Sequence, residues 1–182
     1  MAEACRVFGE LAEVDWSGVA GRRDTIDIAR TVLDRLMIHE ASVLAGDYKE
    51  WQQGARDGSD IPERGRYLAR LAELMADVLE LHTDYSLWES FVRLNDVEPV
   101  RDAEFPSVLF DNASNDYCQS HQYELARYWY APRARQWAQK ISKNVQADER
   151  RSALLLEDGE KMRAELQTRK LETLRPLSKR TA

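Results

Sequence analysis

A chain of 182 residues with 43% hydrophobic and 32% charged residues, 8 glycines and 5 prolines is long enough to bury a core. It is too poor in turn residues for a many-turned β fold and too apolar for a disordered chain. Net charge is −6 and unevenly spread: the first 139 residues carry −10, while from Lys140 onward eleven Lys/Arg face seven Asp/Glu, giving +4. A globular part this acidic argues against nucleic-acid binding, which runs on phosphate neutralisation, and no apolar run approaches the ~20 residues needed to cross a bilayer.

In chain order, residues 1–22 read as a lead-in with Trp16 and three glycines (Gly9, Gly18, Gly21), a short helix and then a loop. The opening Met1-Ala2-Glu3-Ala4-Cys5-Arg6 lacks the basic-then-apolar pattern of a secretory signal. Asp24 is placed as an N-cap, with Asp27 in the first turn where backbone N–H groups lack partners. Ile26, Ala29, Val32, Leu33, Leu36/Met37 and Glu40 follow helical spacing, which predicts a helix over residues 25–45. Gly46 marks a break, residues 47–53 form a further helical turn, and the run from Gly54 to Pro62 makes a turn-rich tip.

A second helix is expected over residues 62–81, carrying Leu68, Leu71, Leu74/Met75, Val78 and Leu79/His82, with Pro62 well placed near its first turn. A shorter helix follows over residues 86–94. Residues 95–115, with Pro99 and Pro106, form the longest irregular piece, and loops of more than about 12–15 residues tend to be functional or disordered. Next comes an aromatic helix over residues 116–146, with Tyr117, Tyr123, Tyr128, Trp129 and Tyr130 and a kink expected at Pro132. Tyr117, His121, Glu124/Leu125 and Tyr128 share one side, and Tyr123, Ala126 and Tyr130 another, the pattern of a helix packed between others. Residues 147–182 are a charged helical tail, interrupted by Gly159 and stopped by Pro176. No segment alternates like a strand, so the expected fold is all-α: a multi-helix, bundle-like domain over residues 1–146 with a helical tail over 147–182.

Chemistry-bearing residues are sparse. His39, His82 and His121 are too scattered for a metal site, and Cys5 and Cys118 make neither a disulfide framework nor a ligand set. There is no phosphate-cradling glycine loop and no nucleophile elbow. The carboxylates Glu40, Asp47, Glu73, Asp77, Glu80, Asp84 and Glu89 fall mainly at polar positions of amphipathic helices, where solubility and i,i+4 pairing are the expected roles. No metal or cofactor is expected.

Four segments carry a resemblance. Glu3-Ala4-Cys5-Arg6 is similar to a Glu-Ala-Trp-Arg segment, and the stretch from Arg23 to Arg30 to a helix start reading Asp, two mostly apolar residues, Asp, apolar, small, Arg. Tyr67 to Leu81 followed by Tyr85-Ser86-Leu87 resembles a helix and aromatic-Leu-Leu corner, and the run from Asp116 to Arg133 opens on Asp-Tyr and closes on ring-ring-x-Pro-Arg. In this order, over roughly residues 3–140, they resemble the C-terminal all-helical domain of the α-N-acetylglucosaminidases, glycoside hydrolase family 89. Trp88 and Ser90 exchange the family's usual small and Trp positions, the segment between Phe91 and Phe110 is shorter, and the resemblance fades beyond Ile141.

In that family a (β/α)-barrel carries both catalytic glutamates, and the helical domain supplies one wall of the sugar pocket. The resemblance therefore implies no catalytic residue in this chain and maps the wall onto Phe110, Ser114 and Tyr117, where the family has Trp, Ile and Tyr. An aromatic face with a phenol suits a pyranose; the alternative reading is that Phe110 and Tyr117 simply fill the core. The implied partners are a catalytic barrel domain and an N-acetylglucosamine-containing glycan, with no nucleic acid and no membrane. The first residues already resemble the interior of the helical domain, and family members are often exported or lysosomal. The alternative is a stand-alone helical interaction or oligomerisation module, self-associating through Phe105, Val108, Phe110 and Tyr117.

Overall fold

The computed structural model describes residues 18–87, 89, 90, 93 and 122–152, and among these every regular element is helical. Helix α1 is Val19–Gln52 and helix α2 is Ile61–Leu79, followed by a 3-10 turn at Thr83–Tyr85. The segments Tyr123–Leu125, Ala126–Tyr130 and Ala131–Gln146 run on as one helix, α3, whose middle segment is a π turn.

Helix α1 is longer than periodicity predicts at both ends. Asp24 lies inside it rather than capping it, since Gly18 is the N-cap residue. The helix also continues through Gly46 instead of breaking there. Gly46 meets no neighbouring atom, and Leu44, Asp47, Tyr48 and Trp51 around it are buried. Burial of this C-terminal half outweighs the roughly 1 kcal/mol that a helical glycine costs. The break falls instead at Gly54, in the left-handed region with φ +75°. Gly58 is required by packing: a Cβ there would lie 2.7 Å from Trp51 Cδ1.

Helix α2 is the central element. It packs extensively on α3 and on α1, while the backbones of α1 and α3 make no comparable approach. The expected stripe is buried at Leu68, Leu71, Met75 and Leu79, but Leu74 is exposed. One core cluster joins Ile26 and Leu33 of α1 to Leu71, Met75 and Leu79, with Tyr85 and Ala126. A second joins Leu44, Tyr48 and Trp51 to Ile61, Leu68 and Ile141, and there Asn144 Nδ2 donates to the Tyr48 hydroxyl at 2.8 Å. Beyond α3, the Arg150 guanidinium lies over the Trp51 ring and donates to the Trp51 carbonyl at 3.0 Å. Gly65 crosses α3 so closely that a Cβ would meet Ala138 Cα at 3.3 Å.

Helix α3 starts at Tyr123, after an extended Gln122, not at residue 116. In its first two turns the buried residues are Glu124, Leu125, Ala126 and Trp129, whereas Tyr123, Tyr128 and Tyr130 are only half-buried. Among the described rings of α3, Trp129 is the buried one and Tyr123 packs against the first core cluster, while Tyr117 lies outside the described residues. Pro132 has no N–H to offer Tyr128, and its ring crowds that carbonyl. The π turn just before it, closed by Ala131 N–H donating to the Ala126 carbonyl, carries the helix across the proline.

Charged pairs tie the helices. Arg127 of α3 reaches Asp77 at 2.6 Å and Glu80 at 3.3 Å, and Arg64 of α2 reaches Asp47 at 3.2 Å and Glu40 at 3.7 Å on α1. Asp47, expected on a solvated face, is instead buried and also pairs with Arg56. Arg56 holds the Asp60 carboxyl below the usual carboxylate range, and Arg93 does the same for Asp84.

Glu124 is the best-buried carboxylate of the described residues, 4% exposed. It accepts from Ser86 Oγ at 2.5 Å and from Leu87 N–H at 2.7 Å, clamping the corner after α2 onto α3. Ser86 in turn caps the helical turn that follows, accepting from Glu89 N–H at 3.2 Å. Glu124→Ala should destabilise the fold by about 1–3 kcal/mol for each buried donor left unpaired, read from urea denaturation midpoints at unchanged m value.

Burial, with Asp27 alongside, pushes the Tyr85 phenol up to about 12, and burial with Tyr128 and Glu80 nearby pushes Tyr123 up to about 12. A phenol raised in the fold stays protonated after its unfolded counterpart, near 10, has ionised. Its contribution is full below about pH 10 and lost as pH rises through about 12. Thermal stability should accordingly fall between pH 10 and 12, and the fall should be shallower in Tyr85→Phe and Tyr123→Phe.

Candidate binding cleft

Because α2 holds α1 and α3 on either side of itself, a cleft opens between the outer two with α2 as its floor. Asp34, Met37, Ile38 and Ala41 of α1 form one wall. Ala126, Tyr130, Arg133, Ala134 and Trp137 of α3 form the other, and Leu68, Ala72 and Met75 the floor. The cleft holds about 330 Å³, within the size range of small-ligand pockets.

Its existence has a local cause. Alanines at 41, 72 and 134 leave empty the space that larger side chains would fill between the walls, and the π turn sets Ala126 and Tyr130 at its edge. Ile38, half exposed at 50%, is apolar surface on the α1 wall. The polar members lie on opposite walls: Asp34 on α1, and on α3 Arg133, whose guanidinium stacks 4.7 Å from the Trp129 ring centroid. Methionines 37 and 75 can adapt to differently shaped apolar groups.

Chemically this is a place for an apolar group with a polar end. Asp34 is the one carboxylate among its described lining residues, whereas acid–base hydrolysis of a glycoside takes two, about 5–10 Å apart. The other acids singled out by sequence are largely engaged elsewhere. Asp77 and Glu80 hold Arg127, Glu73 holds Arg70 and Arg135, and Asp84 holds Arg23 and Arg93. His82 accepts from Asp84 N–H through Nδ1 at 3.2 Å, a capping role, and His39 is exposed. No group of three or more potential metal ligands occurs among the described residues.

Phe110, Ser114 and Tyr117 lie outside the described residues, as do Phe105, Val108, His121, Cys5 and Cys118. The cleft was not foreseen from sequence. Its signal is there in retrospect: Asp34, Met37, Ile38 and Ala41 stand at i, i+3, i+4 and i+7, a stripe ending in a small residue beside the main core stripe of α1. No protein-family model, curated protein or solved structure matches this chain. No helix among the described residues is long and apolar enough to cross a membrane.

If the cleft is unfilled space, adding volume to it should be tolerated. Ala134→Leu should leave the melting temperature unchanged or raise it, whereas Ala76→Leu, at a core position with 0% exposure, should cost about 1–3 kcal/mol by overpacking.

Proposed function

We propose that this chain is a non-catalytic helical module that works by binding. The observation that carries the reading is the cleft between α1 and α3: apolar, shaped by three alanines, and furnished with a single described carboxylate. A site of that composition suits recognition of an apolar group and lacks the carboxylate pair that glycoside hydrolysis requires.

In its finer form, the proposal makes the chain the helical domain of an α-N-acetylglucosaminidase-like glycoside hydrolase. A separate barrel supplies catalysis, and Phe110, Ser114 and Tyr117 form one wall of the sugar site. The four sequence segments that follow the family's order over residues 3–140 support that form, and the all-helical architecture of the described residues agrees with it. The second reading, a stand-alone interaction module, is favoured by the cleft itself, which needs no sugar and no barrel to be useful.

Two measurements separate these. The purified chain should show no hydrolysis of an aryl α-N-acetylglucosaminide; turnover abolished by replacing one internal acid would overturn the non-catalytic reading. In saturation-transfer NMR, methyl α-N-acetylglucosaminide should show contact that Tyr117→Ala removes if the sugar-wall form holds. Absence of transfer, together with an adjacent coding sequence that holds no barrel, would leave the stand-alone module.

A further inference from the structure

On the far side of the α2–α3 pair the surface has the opposite character. Ala69, Ala138, Gln139, Ser142 and Gln146 line a shallow trough of about 520 Å³, and Arg66, Arg70, Arg135 and Lys143 surround it with Glu73. Four cations against one carboxylate give the trough a net charge of +3, in a chain whose net charge is −6.

The arrangement follows from the close crossing of the two helices. Gly65 and Ala138 let the backbones approach, and the small side chains of Ala69 and Ala138 leave a concave floor. Long basic side chains rise from both helices around it. The Glu73 end is partly neutralised: Arg70 reaches Glu73 Oε2 at 3.2 Å, and Arg135 reaches Glu73 Oε1 at 3.2 Å. At the other end, Arg66 and Lys143 make no ion pair with a described residue, and both are exposed. Along α3, Arg135 and Lys143 stand about 12 Å apart at ~1.5 Å per residue, a span that a few residues of extended peptide would cover.

We propose that this trough is a docking site for a short acidic peptide segment of a partner protein, with carboxylates on Arg66 and Lys143 and polar backbone groups on Gln139, Ser142 and Gln146. Charge complementarity selects the occupant. A nucleic acid would continue past the trough onto a protein whose first 139 residues carry −10, whereas a segment with two or three carboxylates ends where the positive surface ends. Arginine forks and glutamine amides also match the planar carboxylates and peptide groups of such a segment.

The test is fluorescence anisotropy at low salt with three labelled probes: hexaglutamate, hexaglutamine and a six-nucleotide thymidine strand. Hexaglutamate should bind, and its affinity should fall at least tenfold when salt is raised to 0.5 M. Arg66→Glu combined with Lys143→Glu should weaken it at least tenfold with unchanged circular dichroism. If the double variant loses helicity, Arg66→Gln alone decides, with a loss of at least threefold expected. Equal binding of hexaglutamine, tighter binding of the thymidine strand, or undiminished binding by the folded variant would overturn the assignment. Salt-sensitive self-association abolished by the same changes would place a second copy in the trough and overturn it equally.

Discussion

Helix α2 has to serve two neighbours at once, and the remaining described structure depends on that demand. A helix offers one apolar stripe of limited width, yet Leu68, Leu71, Met75 and Leu79 pack towards both α1 and α3, and Ile61 closes the far end. Where stripe and neighbours coincide, as around Leu79 and Ile61 with 0% exposure, the core is complete. Between these two points the stripe thins to Ala72, and there the outer helices stand apart and the cleft opens.

Polar contacts then fix what apolar burial leaves free to slide. Non-directional burial would allow α3 several rotations about α2. Arg127 on Asp77 and Glu80, Arg135 on Glu73, and Glu124 on Ser86 and Leu87 each accept only one. The exposed pairs contribute little stability, since surface ion pairs are typically worth 0–1 kcal/mol. Glu124 differs in kind, because its partners are buried donors that have no water to turn to.

Much of this was legible in the sequence, and the exceptions have physical causes. Period-3.6 spacing located α1 and α2 and the burial of Ile26, Leu33, Leu68, Leu71, Met75 and Leu79, because those positions obey one local rule. Ends were misplaced where tertiary contacts overrule local signals. Gly46 reads as a breaker but sits in a turn held down by Leu44, Tyr48 and Trp51, and Asp24 reads as a cap but lies inside α1. The buried ion partner Asp47 is invisible to periodicity, since its burial needs Arg56 and Arg64 from the next loop and helix. The cleft is hidden for the same reason: it is made by what three separate helices lack at Ala41, Ala72 and Ala134. The sugar-wall positions Phe110, Ser114 and Tyr117 belong to a part of the chain outside the described residues, so the fold gives them no added support.

The two surfaces of the α2–α3 pair share no lining residue. On α2 the cleft uses Leu68, Ala72 and Met75, while the trough uses Arg66, Ala69, Arg70 and Glu73, roughly half a turn away at 3.6 residues per turn. On α3, Tyr130, Arg133, Ala134 and Trp137 stand against Arg135, Ala138, Gln139 and Ser142 in the same way. A group held in the first face would be held by apolar burial, which salt does not screen, and the acidic segment proposed for the second would be held by charge, which it does. The close Gly65–Ala138 crossing lies between the two faces, so the proposed apolar group and acidic segment would not compete for the same side chains. Occupancy of either face then need not disturb the other, because the residues that line one are not those that line the other.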